Sequence, residues 1–71
     1  MTTEVPAPLA GKILDLLVKV GSRVDEDDEL LVIEALKMEN TVYSPCAGTV
    51  KEIRVKKDDG VEDGAVLLVI E

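Results

Sequence analysis

Leu30-Leu31-Val32-Ile33-Glu34 recurs letter for letter as Leu67-Leu68-Val69-Ile70-Glu71, 37 positions further on, and a repeat constrains a fold more than any local propensity does. Carried outward, the same shift matches Val5 with Val42, Pro8 with Pro45, Ala10-Gly11 with Ala47-Gly48, Val18-Lys19 with Val55-Lys56 and Val24 with Val61. Two copies of one unit, residues 5–34 and 42–71, therefore run through a chain of 71 residues with no insertion or deletion between them. That length holds a single domain, 1–71, and the duplication implies approximate two-fold internal symmetry.

Within each copy Val, Ile and Leu dominate and no 3.6-residue period is sustained, so the units read as strands parted by turns. Ile13, Leu16 and Val18, with their twins Val50, Ile53 and Val55, alternate except for one extra residue, which predicts a bulge. A long strand that bends there and serves two sheets suits an all-β fold, a flattened barrel or sandwich. Gly11, Gly21, Gly48, Gly60 and Gly64 fall at strand junctions, where positive φ angles are expected of them. Asp27 stands in the first copy where the second has Gly64, and Asp tolerates a left-handed conformation better than most residues.

Hydrophobic residues make up 46% of the chain while aromatics make up 1%, so the core must be built from aliphatic side chains. Fifteen acidic residues against eight basic ones leave a net charge of −7. That balance argues against phosphate backbones and anionic membrane surfaces as partners. No apolar run is long enough for a spanning helix and no signal-peptide series opens the chain, so a cytoplasmic location is expected by default. The one cysteine, Cys46, has no partner for an internal disulfide and is expected to pack as a small apolar residue. Without histidine, zinc-ligand spacing, a phosphate-binding glycine loop or a nucleophile elbow, independent catalysis is not expected. Asp25 to Glu29 is acidic but lacks the glycine and the closing carboxylate of a calcium loop, and reads as a solvated turn, with docking of a basic partner surface as its second expected role.

Only Ala35-Leu36-Lys37-Met38-Glu39-Asn40-Thr41 separates the copies, with Lys37 at the centre. If Leu30–Glu34 and Met38–Tyr43 are strands, Leu36 and Lys37 form the turn of a hairpin, and a loop tip points its side chain into solvent. A symmetric scaffold with one unmatched protrusion reads as a mount for that protrusion.

Glu34-Ala35-Leu36-Lys37-Met38-Glu39-Asn40, flanked by two matching β units, resembles the biotinyl domain of biotin carboxyl carrier proteins, within the wider biotinyl/lipoyl carrier family. The resemblance covers about Val5 to Glu71. It implies a flattened eight-stranded antiparallel barrel or sandwich, the lysine on a hairpin turn, and covalent biotin attached at Lys37 by a biotin-protein ligase. By the same resemblance Leu36 and Met38 are recognition residues, and Glu34, Ala35 and Glu39 are ligase contacts. The family's usual residue before the lysine is Met; Leu36 replaces it with a side chain of similar volume. Lipoyl members generally place an acidic residue before the lysine and Ala after it, whereas Leu36 and Met38 are both apolar, so biotin is preferred. No insertion interrupts Lys12 to Val20, which resembles the thumbless carriers of acyl-CoA and oxo-acid carboxylases, decarboxylases and transcarboxylases.

The role so implied is a swinging-arm carrier that moves carboxyl groups between a biotin carboxylase and a carboxyltransferase or decarboxylase. Tethering holds the cofactor near each site at roughly millimolar effective concentration. Two other readings stand beside it: a lipoyl carrier of an oxo-acid dehydrogenase or glycine-cleavage system, and an interaction domain whose lysine stays unmodified.

Overall fold

The computed structural model describes residues 2–71, and none of these is helical. Eight strands follow in order: β1 (Thr3–Pro6), β2 (Gly11–Leu16), β3 (Arg23–Val24), β4 (Glu29–Ala35), β5 (Met38–Tyr43), β6 (Gly48–Ile53), β7 (Gly60–Val61) and β8 (Val66–Ile70). They form two antiparallel four-stranded sheets, ordered β1-β8-β6-β3 and β5-β4-β2-β7. Adding four to each label of the first copy, and subtracting four from each of the second, turns one sheet into the other. The two-fold repeat is therefore a two-fold of structure, and each sheet takes two strands from each copy.

The repeated run is central in both sheets, because only a strand flanked on both sides and covered by the opposite sheet can bury nearly every residue. Leu30, Leu31 and Ile33 of β4 and Leu67, Leu68, Val69 and Ile70 of β8 are all buried. Val5, Ile13, Val24, Val42 and Val50 complete the aliphatic core from the neighbouring strands, and Ala7 joins it from the loop after β1. Each fully buried Leu, Ile or Val contributes about 1.5–3 kcal/mol. Cys46 packs against this core with its thiol free.

The predicted bulge is present in both copies. Ile13 pairs with Ile33 and Asp15 with Val32, so Leu14 is the extra residue. Val50 pairs with Ile70 and Glu52 with Val69, which makes Lys51 its twin. The extra residue restores the inward direction to Leu16 and Ile53, both of which pack on the core. It does not carry a strand into a second sheet, as the sequence led one to expect. β2 pairs only with β4 and β7, and β6 only with β8 and β3. The crossing is made instead by the loops 17–22 and 54–59, each turned by a backbone N–H bonded to a side chain three residues on: Lys19 N to Ser22 Oγ at 3.1 Å and Lys56 N to Asp59 Oδ2 at 2.9 Å.

Nor do the sheets close into a barrel; the architecture is a sandwich. One seam lies between edge strands β1 and β5, where Pro6, Pro8 and Pro45 have no N–H to donate to a ladder. At the other seam β3 and β7 are two residues each, too short to zip the sheets together. The molecule is elongated, 33 × 17 × 17 Å.

The glycines divide into two kinds. Gly21 (φ 95°) and Gly64 (φ 86°) are left-handed, and their repeat twins Asp58 (φ 74°) and Asp27 (φ 70°) adopt the same conformation. Asp27 thus behaves as its register predicted. Gly11, Gly48 and Gly60 do not have positive φ, against expectation. Gly11 and Gly48 are required by close approach: a Cβ on Gly11 would meet the Glu34 carbonyl oxygen and, at 2.6 Å, Ile33 Cγ2, and one on Gly48 would meet the Glu71 carbonyl oxygen at 2.5 Å and Ile70 Cγ2 at 2.7 Å.

Candidate functional site

β4 and β5 are joined by two residues. The register runs Ile33↔Asn40, Glu34↔Glu39, Ala35↔Met38, which leaves Leu36 and Lys37 as the entire loop. A two-residue hairpin loop matches the right-handed twist of its strands when both central residues are left-handed, and for that reason Asn-Gly or Gly-Gly is the usual content. Here Leu36 has φ 53° and Lys37 φ 65°. For residues with a branched or long side chain this conformation costs about 1–2 kcal/mol each. The turn is held in place by the strands behind it, β4 being buried from Leu30 to Ile33 apart from Val32, which is half-buried.

The strained turn makes a platform. Leu36 is 96% exposed and Met38 65% exposed, two largely uncovered apolar side chains, one on each side of Lys37. Lys37 itself is exposed. The ion pairs among the described residues are Lys12 with Asp58 at 3.7 Å and Arg54 with Glu52 at 3.3 Å, and Lys37 belongs to neither. Its ammonium is therefore neither buried nor locked to a carboxylate, and its side chain is free to enter another protein's active site.

Behind the tip, Glu34 and Glu39 sit directly opposite one another. Like charges so placed destabilise a strand pair by roughly 0.2–1 kcal/mol, and both are exposed with no cation of the described residues within ion-pairing distance. Ala35, half-buried, pairs with Met38 and closes the turn. All six residues named from the sequence are thus gathered in one hairpin tip. Strain at Leu36 and Lys37 left no mark in the sequence, since neither residue type announces a left-handed turn. The opposition of Glu34 and Glu39 was readable in principle, from a two-residue loop and simple counting.

Among the described residues no three His, Cys, Asp or Glu side chains come together to hold a metal ion. Asp25 to Glu29 works as a turn, with Asp25 N donating to Asp28 Oδ2 at 2.8 Å. One primary amine on a rigid, strained, apolar-flanked tip fits covalent attachment of a cofactor through an amide.

Comparison with known proteins bears on which cofactor. A family model described as "Biotin-requiring enzyme" matches residues 1–70. The biotin carboxyl carrier protein of Streptococcus mutans is 44% identical over 66 residues, 93% of this chain and 51% of that protein. Pyruvate carboxylase of Bacillus subtilis is 36% identical over 69 residues, 97% of this chain and 6% of that enzyme. Among solved structures, urea carboxylase of Kluyveromyces lactis superposes with a TM-score of 0.94 at 30% identity, covering 100% of this chain and 6% of that one. The chain thus spans about half of the carrier protein's length and a small fraction of the multidomain carboxylases.

Proposed function

The chain belongs to the family of biotin-requiring enzymes, and from that premise we propose that Lys37 is the residue its biotin is attached to. The domain is a biotin carrier: a part that holds the cofactor covalently while other parts perform catalysis. The relatives are biotin-dependent, and neither the lipoyl reading nor the unmodified one is favoured by them.

The observation that carries the assignment is the two-residue left-handed turn that presents Lys37 unpaired and exposed. Amide formation at Nζ requires the ammonium to give up a proton and offer its lone pair to an activated carboxyl carbon, from which the activating group departs as the C–N bond forms and the nitrogen sheds a second proton. Lys37 belongs to no ion pair among the described residues, and a biotin-protein ligase supplies the deprotonating environment, with Leu36 and Met38 giving it apolar purchase on either side of the amine. Glu34 and Glu39 offer the same partner two carboxylates that are in no ion pair among the described residues. When attached, biotin carries a carboxyl group from the site that loads it to the site that consumes it. The strands behind the tip keep the attachment point fixed while the side chain swings. The loading and discharging partners are a biotin carboxylase and a carboxyltransferase or decarboxylase, in keeping with relatives in which the matching segment is a small part of a whole carboxylase.

Co-expression with the cognate ligase, followed by intact-mass analysis and a streptavidin blot, tests the assignment. One biotin per chain is expected on the wild type and none on Lys37→Arg, which keeps the charge but offers no acylable amine. Labelling that persists in the variant moves the site elsewhere, and a lipoyl adduct replaces the cofactor.

A further inference from the structure

Away from the hairpin tip, an apolar groove of about 350 Å³ crosses the two-fold axis where β1 and β5 run as unpaired edges of opposite sheets. Its walls are mostly symmetry pairs, Val5 with Val42, Pro6 with Tyr43 and Pro8 with Pro45, with Thr41 beside them. Pro6, Pro8 and Pro45 offer no N–H, so along these walls a visitor is held by side chains more than by ladder hydrogen bonds. Tyr43 is the one aromatic residue of the chain and is 53% exposed.

Both lips are acidic. Asp27 N donates to the Ser44 carbonyl and Ser44 N to the Asp28 carbonyl, at 2.8 Å each, which ties the turn Asp25–Asp28 beside Tyr43 and Pro45. Glu29 lies directly across from Tyr43. Gly64 N donates to the Ala7 carbonyl at 2.9 Å, which brings the turn bearing Glu62 and Asp63 beside Pro6 and Pro8. No Lys or Arg occurs in 1–11, 24–36, 38–50 or 58–71, the segments that build the groove and its lips.

We propose that this groove docks an arginine-bearing segment of a protein partner. The alkyl stems lie against the proline walls, one guanidinium stacks on Tyr43 with Glu29 beside it, and others meet the two acidic turns. Charge decides among occupants: a second copy of this chain would bring acidic lips against acidic lips, while a cationic segment finds its complement on both sides. The surface is separate from the hairpin tip and its occupancy does not depend on Lys37.

Tyr43 fluorescence, undisturbed by any Trp or other Tyr, reads the groove directly. A capped peptide of alternating arginine and valine is titrated into the domain, with an alternating glutamate and valine peptide as control. A saturable change with the first alone is expected, weakening as salt rises. Glu26→Lys with Asp63→Lys, at exposed turn positions, is expected to raise the Kd about tenfold or more. Asp15→Lys with Glu52→Lys makes the same change of charge at exposed positions outside the groove and its lips and is expected to have much less effect, and Lys37→Arg none. Equal weakening by both double variants, loss of binding in Lys37→Arg, no saturable response, or a signal that tracks the domain's own concentration without peptide would each overturn the proposal.

Discussion

Leu36 and Lys37 occupy a turn that most sequences fill with Asn-Gly. Strained backbone of this kind persists where the surrounding structure imposes it, and it clusters at sites of function. Leu36 is almost wholly exposed, so replacing it sacrifices no burial. Leu36→Asn, a residue that visits the left-handed region readily, is expected to stabilise the domain by about 1 kcal/mol. The check is a higher urea midpoint at unchanged m-value; an unchanged or lower midpoint would show that the turn is not strained. In the same variant the ligase is expected to label Lys37 more slowly, because one of the two apolar flanks is gone. Labelling at full rate would show that this side chain is not read.

Turns and bulges come in pairs, and the pairing lets each element act as a control for its twin. Gly11 and Gly48 both face a backbone carbonyl and an isoleucine methyl too near for a Cβ. Gly11→Ala and Gly48→Ala are each expected to cost about 1–3 kcal/mol through forced displacement of a neighbouring strand. Gly60 has ordinary φ and nothing within 4 Å of its notional Cβ, so Gly60→Ala is expected to be neutral or slightly stabilising. Thermal or urea denaturation of the three variants distinguishes close approach from simple turn preference. Three equal losses would remove the packing account.

The whole molecule rests on two central strands in different sheets that share the run Leu-Leu-Val-Ile. Leu31 of β4 and Leu68 of β8 are both fully buried and are related by the two-fold. Leu31→Ala and Leu68→Ala are each expected to cost about 2–5 kcal/mol, a large share of what a domain of this size possesses. The two losses should agree within about 1 kcal/mol if the symmetry extends to energetics. Equilibrium denaturation measures both, and a clear inequality would show that one half of the sandwich dominates its stability.

The sequence by itself determined the duplication, the strand-and-turn character of each copy, the bulges and the position of Lys37 between the copies, because these follow from spacing along the chain. Asp27 too was legible, through its register with Gly64. Partner choice was not. Two strands reading Leu-Leu-Val-Ile-Glu satisfy the same pattern whether each copy forms its own sheet or the copies exchange strands, and only long-range pairing separates the outcomes: β4 lies between β5 and β2, while β8 lies between β1 and β6. That exchange leaves β1 and β5 facing across an open seam, so the acidic-lipped groove and the failure of the barrel to close belong to tertiary structure alone. The left-handed backbone at Leu36 and Lys37 belongs there as well, since the register of two packed strands imposes it on residues whose own preferences oppose it.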